Sequence, residues 1–308
     1  MFTPLVQSRS MSRILLIGAN GQLGSDLRDA LAGHEVLAAS RTPLVDARHR
    51  TLQLDVTDHE ALRTVIGDFQ PAAVVNCSAF HRVDDIERDA SQALTVNALA
   101  AQRLALLCRD ANCVLMHIST DYVFDGAARI PYVETDLPNP LSAYGASKLA
   151  GELLIRAAWP RHFIVRTCGL YGRAGASGKG GNFVQTMLRL AREQAVAAQP
   201  KPIRVVADQT CTPTFTQDLA AQLALLLETE AYGVIHATSA GECTWHEFAN
   251  AIFEIAGLPA RAVPITSAEF AAPAVRPPYS VLENSVLQRL GIDRMRPWRS
   301  ALEAYIAG

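Results

Sequence analysis

The chain has 308 residues, of which 49% are hydrophobic and 19% charged, with a formal net charge of −2. That balance supports a sizeable buried core and excludes a largely disordered chain. With no run of Lys or Arg to track a phosphate backbone, it also disfavours nucleic acid as a main partner.

No apolar run is long enough to cross a bilayer, and residues 1–10 (MFTPLVQSRS) lack the basic and apolar regions of a signal peptide. A cytoplasmic protein with no membrane partner is expected. Met11 directly precedes a strand-like run and reads as the natural start, with the first ten residues an extension. Residues 13–18 (RILLIG) form a continuous apolar run, as in a strand buried on both faces. A helix is expected over 21–31, short strands over 34–39 and 51–54, a helix over 59–69, and a buried strand over 72–76. A long helix over 91–109, a strand over 113–118, a helix over 142–157 and a strand over 163–166 continue the alternation. The rhythm predicts an α/β fold with a doubly wound parallel sheet of the Rossmann type.

Beyond residue 169 the rhythm loosens. Glycine clusters over 172–182, and a mobile surface loop is expected at 172–181. Helices over 183–198, 215–227, 245–256 and 297–307 and a strand near 203–206 follow, and 234–237 reads as one more member of the sheet. The expectation is a smaller, interleaved C-terminal α+β substrate domain. The dinucleotide-binding domain would take 11–170 plus about 213–238, and the substrate domain 171–212 plus 239–308.

The first strand runs directly into Gly18, Gly21 and Gly24 and then a helix. Glycines at that spacing allow a tight turn, close approach of backbone to a pyrophosphate, and close helix–strand packing. A glycine-rich turn alone is a weak signal; its place between a buried strand and a helix raises it. The second strand ends at Ser40-Arg41 with no acidic residue to meet a ribose 2′-hydroxyl. Arg41 can pair with a 2′-phosphate, so NADPH is expected over NADH, which stays open. Asp55 and Val56 are placed to flank the adenine; otherwise Asp55 caps the following helix.

Tyr144 and Lys148 stand at i and i+4, on one helix face. Lys148, Lys179 and Lys201 are the only lysines, against seven tyrosines, so a chance pairing at this spacing is uncommon. An ammonium beside a phenol is expected to lower the phenol's pKa and make it a usable general acid. The alternative is an exposed helix face with Lys148 paired to Glu152. Just upstream, an expected strand ends at Ser119-Thr120, where open α/β sheets bind ligands. Thr120 is the preferred partner for a substrate carbonyl, with Ser119 as fallback. The six cysteines form no C-x-x-C pair and read as reduced thiols. The eight histidines show no ligand spacing, so no metal site is assigned.

Taken together, GANGQLG (18–24), LDVTD (54–58), Val83-Asp84 with Glu87, VNA (96–98), STDYVFDG (119–126), YGASK (144–148), RTCGLYG (166–172), GNFV (181–184), DQTCTPT (208–214) and RPPYSVL (276–282) resemble the dTDP-4-dehydrorhamnose reductase family of extended short-chain dehydrogenase/reductases. The resemblance runs in order from Met11 across nearly the whole chain. It implies NADPH-dependent reduction of the C4 ketone of a dTDP-linked 6-deoxyhexulose, with Thr120, Tyr144 and Lys148 catalytic. It implies cofactor contacts at Gly18, Asn20, Gly21, Gln22, Leu23, Gly24, Ser40, Arg41, Asp55, Val56, Ser78, Ala79 and Asn97, besides Tyr144 and Lys148. Phe80, Asp121, Asn182, Phe183 and Arg276 would meet the nucleotide-sugar. A homodimer is compatible with the family, and a magnesium ion between subunits stays open. The chain departs from the family at Cys168-Gly169, where many relatives carry a tryptophan, and at Asp85, where a lysine is usual. A sugar-nucleotide epimerase or dehydratase shares the cofactor fold, but Tyr122 stands where a dehydratase has Glu. A non-catalytic subunit resembling the methionine adenosyltransferase β subunit is the other alternative.

Overall fold

The computed structural model describes residues 12–175, 181–197 and 201–308. The expected start at Met11, part of the surface loop (176–180) and the end of the 183–198 helix lie outside them. The strands are β1 (Arg13–Ile17), β2 (Glu35–Ser40), β3 (Arg50–Gln53), β4 (Ala73–Asn76), β5 (Val114–Thr120), β6 (His162–Thr167), β7 (Leu170–Tyr171), β8 (Ile203–Val206), β9 (Thr210–Cys211), β10 (Thr214–Phe215), β11 (Gly233–His236), β12 (Cys243–Thr244) and β13 (Ala262–Ile265). The helices are α1 (Gln22–Ala30), α2 (His59–Phe69), α3 (Val83–Arg88), α4 (Ser91–Ala93), α5 (Ala100–Asp110), α6 (Ala143–Ala158), α7 (Phe183–Val196), α8 (Thr216–Leu227), α9 (Trp245–Ile255), α10 (Ser267–Phe270), α11 (Ser285–Arg289) and α12 (Trp298–Ala307).

Seven strands form one sheet in the order β11-β6-β5-β4-β1-β2-β3. Every neighbouring pair is parallel. The apolar run of β1 follows from burial on both faces. Ile14 and Leu16 pack into the core beneath α1 and α8, whereas Leu15 and Ile17 pack into the core shared by α2, α5 and α6. Residues 233–236 join the sheet beside β6, as the sequence predicts. The chain reverses its winding between β1 and β4, which opens a crevice at the carboxyl ends of those strands.

A separate apolar core joins α7, α9 and α12 around Tyr171, Phe215, Phe248 and Phe253. The two-stranded pairs β7–β10, β9–β12 and β8–β13 surround it. Leu287 of α11 packs instead into the sheet's own core, although it lies late in the chain.

Several features depart from the sequence reading. The short helices α3, α10 and α11 and the strands β7, β9, β10, β12 and β13 were not expected. The long helix over 91–109 is broken by a π-helical stretch at Leu94–Leu99, a rare feature that is frequent at functional sites. Here it turns Asn97 inward, fully buried, to grip Phe80. Its amide accepts from Phe80 N at 2.8 Å and donates to Phe80 O at 2.9 Å and to Ser147 Oγ at 2.9 Å.

Candidate active site

The crevice is a cleft of about 1180 Å³. The chain leaves β1 at Gly18 with φ +80°, and a Cβ there would stand 3.0 Å from backbone atoms of Cys77 and Ser78. At Gly24 a Cβ would stand 2.1 Å from the Gly18 carbonyl oxygen. Gly21 is the N-cap of α1 and offers no side-chain cap bond, so the first-turn N–H groups stay available. This cradle, walled also by Asn20, Gln22 and Leu23, fits a dinucleotide pyrophosphate.

Farther along the wall stand Arg41, Asp55, Val56, Ser78 and Ala79. Asp55 accepts from Thr57 N at 2.9 Å and from Thr57 Oγ1 at 2.7 Å, while Asp58, not Asp55, caps α2. Two expected cofactor contacts do not reach the cleft. Ser40 is buried and donates its hydroxyl to Thr42 O at 2.7 Å. Asn97 is consumed by its grip on Phe80 and Ser147. Both are braces, because burial requires their polar atoms to find partners inside the protein.

The opposite wall is built by β5 and α6. Ser142 caps α6, accepting from Gly145 N at 3.2 Å. Gly145 and Gly151 let the helix ride close to its neighbours. A Cβ on them would stand 2.2 Å from Tyr122 O and 2.1 Å from Asn97 O. Tyr144, Lys148, Thr120 and Asp121 all line the cleft. Ser119, the fallback to Thr120, donates its hydroxyl to Glu152 at 2.5 Å. Glu152 is itself held by Arg166 at 2.7 Å, so the exposed Lys148–Glu152 pair is not formed. Lys148 is only 1% exposed.

The charge logic differs from the sequence reading. Burial pushes the Tyr144 phenol up to about 12, opposed by a hydrogen bond with the Thr120 hydroxyl. Lys148 is drawn down to about 8 by burial, although Glu152 opposes this. Its Nζ donates to Ile118 O at 2.7 Å and lies 3.1 Å from His117 Nε2. The expected lowering of the phenol's pKa by the Lys148 ammonium is therefore not found; burial dominates. A phenol in that state keeps its proton at neutral pH, as a donor must.

On the substrate side, Phe80, Asn182 and Phe183 line the cleft. Burial raises the Asp121 carboxyl above the usual range; its Oδ1 accepts from Thr120 Oγ1 at 3.1 Å. Asn182 caps α7 and donates to Gln22 Oε1 at 2.9 Å and Gly172 O at 2.7 Å, tying the glycine loop to the smaller layer. Arg276 does not line the cleft; it forms a two-pronged pair with Asp84 at 3.0 Å, next to the lining residue Pro277. Trp245, which the sequence reading missed, lines the cleft against Phe183 with ring centroids 4.7 Å apart. It also covers the glycine of Cys168-Gly169, where a Cβ would meet the Trp245 ring at 3.4 Å. His117 and Asn76 were missed as well. Their pairing spans 41 residues and leaves no local sequence signal. Among the described residues, no group of three or more His, Cys, Asp or Glu could hold a metal ion.

A Rossmann sheet with Tyr and Lys one helical turn apart at its switch-point cleft defines a short-chain-type, dinucleotide-dependent oxidoreductase. The sequence matches the family model described as RmlD substrate binding domain over residues 11–308. It is 38% identical to the spore coat polysaccharide biosynthesis protein SpsK of Bacillus subtilis, over 96% of this chain and 97% of that protein. It is 40% identical to dTDP-4-keto-6-deoxy-D-glucose reductase of Streptomyces niveus, over 94% and 95% of the two chains. The crystal structure of dTDP-4-dehydrorhamnose reductase from Bacillus anthracis, in complex with NADP, superposes with a TM-score of 0.84 at 34% identity, covering 96% of this chain and 99% of that one. The chain belongs to the dTDP-4-dehydrorhamnose reductase family.

Proposed function

We propose that the protein uses NADPH to reduce the C4 ketone of a dTDP-4-keto-6-deoxyhexose, giving dTDP-L-rhamnose or a close relative. The observation that carries this reading is that Thr120, Tyr144 and Lys148 line the same cleft as the glycine cradle. The names of the 34–40% identical relatives support the substrate class. Arg41, with no acid at the end of β2, supports the phosphorylated cofactor.

The nicotinamide, when bound, supplies a hydride to the ketone carbon. Tyr144 gives its proton to the emerging alkoxide, and Thr120 shares that oxygen and orients the phenol. Lys148 would hold the nicotinamide ribose and, as an ammonium, return a proton to the Tyr144 phenolate, itself regaining one from solvent. Phe80, Asp121 and Phe183 meet the nucleotide-sugar, and Asn182 and Arg276 act as latches through Gln22 and Asp84. A division at 11–170 plus about 213–238 against 171–212 plus 239–308 places the cleft between the two parts. A cytoplasmic homodimer completes the reading; the six free thiols accord with a reducing compartment.

The test is oxidation of NADPH against dTDP-4-keto-6-deoxy sugars, with product stereochemistry read by NMR. No oxidation with any dTDP-4-keto sugar would remove the assignment.

A further inference from the structure

We propose that His117 is a positioning residue that sets the charge of Lys148, and that Asn76 fixes the imidazole tautomer by which it does so. Asn76 on β4 and His117 on β5 are direct neighbours in the sheet. The amide orientation of Asn76 is forced, because its Oδ1 accepts from Ser78 N at 3.0 Å and Ser78 Oγ at 2.5 Å, and a backbone N–H can only donate. Its NH2 group therefore faces His117 Nδ1, at 3.1 Å, and Nδ1 must accept.

His117 is fully buried, and burial together with the nearby Lys148 charge holds it well below the ordinary histidine range, so the ring is neutral. A neutral ring with an accepting Nδ1 carries its one proton on Nε2, which points at Lys148 Nζ across 3.1 Å. An ammonium there sets N–H against N–H, whereas an amine accepts the bond. His117 thus favours the amine form of Lys148.

The other groups around Lys148 act differently. Glu152, one turn along α6, favours the ammonium, but its carboxylate is shared with Arg166 of β6 and Ser119 of β5. Cys77, beyond β4, is an inert thiol whose pKa burial raises to about 12. Tyr144, one turn before Lys148, stays neutral. A lysine poised to titrate near neutrality can exchange protons in each turnover; one at its ordinary value would stay charged. This consequence rests on the catalytic reading of Tyr144 and Lys148, but the tautomer and the charge of Lys148 do not.

The experiment uses the full chain labelled with [13Cε]lysine and [15N]histidine. With three lysines in the sequence, Lys148 is assignable by loss of its signal in Lys148→Arg. In the wild type, 15N shifts should report a bare Nδ1 and a protonated Nε2, and Lys148 should titrate near 8. His117→Gln, whose amide can turn its oxygen to Nζ, should raise that midpoint by about one unit or more and shift the pH profile of kcat with it. Should His117→Gln fail to fold, Asn76→Asp reverses the tautomer by accepting from Nδ1 and should move the midpoint the same way. A protonated Nδ1 in the wild type, or an unmoved Lys148 midpoint in a folded variant, overturns the proposal. A moved midpoint in an enzyme inert toward every keto sugar keeps it and sinks the reductase reading.

Discussion

Gly24 in the first turn of α1 faces the carbonyl oxygen of Gly18 so closely that a Cβ would stand 2.1 Å from it. The blocking atom is backbone and cannot swing aside. Gly24→Ala is expected to push α1 away from the glycine turn, at a cost of about 1–3 kcal/mol in stability. NADPH affinity should fall at least about tenfold, since the first-turn N–H groups lose their aim. Thermal melts with and without NADPH check both effects. A variant that melts and binds like the wild type would show that the cradle yields without cost.

Arg41 lines the cleft just beyond β2, in an exposed position suited to a 2′-phosphate. Arg41→Ala should raise the KM for NADPH by about tenfold or more, the loss of one charge-assisted contact. The KM for NADH should change little. Steady-state kinetics with both cofactors decide this, and equal losses for the two would assign Arg41 a general structural role.

Tyr144→Phe keeps a ring against Tyr122, whose centroid lies 5.9 Å away, and removes only the hydroxyl. Turnover should fall about a hundredfold or more, as expected for the loss of a general acid. NADPH affinity, measured by fluorescence titration, should stay within about twofold. Undiminished turnover would mean that another group donates the proton.

How far the sequence alone carried these conclusions depends on how local each feature is. The glycine cradle and the Tyr144/Lys148 pair were legible because each is a short-range spacing on one element. The apolar strands were legible because burial on both faces leaves continuous runs, as in RILLI. The π-helical stretch at Leu94–Leu99 was not, since packing against Gly151 of a distant helix shapes it. The internal partners of Asn97 and Ser40 were hidden for the same reason: a motif shows that a polar residue matters, not whether it faces ligand or backbone. His117, Asn76 and Trp245 come into view only once the strands and layers are assembled. The state of Lys148 could not be read either, because desolvation is a property of the finished core.

That desolvation has a measurable signature in stability. Lys148 titrates at about 8 in the folded protein, below its ordinary value of 10.5. Below pH 8 both folded and unfolded chains carry the charge, and the folded state bears the full cost of burying it. Between about 8 and 10.5 the unfolded chain binds more protons than the folded one, so stability rises with pH across that window. Lys148→Met removes the charge and keeps the stem. Against this it loses the bond to the Ile118 carbonyl, worth about 1 kcal/mol. The variant should still be more stable than the wild type at pH 7, by roughly 1–3 kcal/mol, while losing turnover. Its advantage should shrink steadily as pH climbs from 8 toward 10.5. Urea unfolding of both proteins across that range measures the difference, and a gap that stays constant with pH would show that Lys148 does not titrate there.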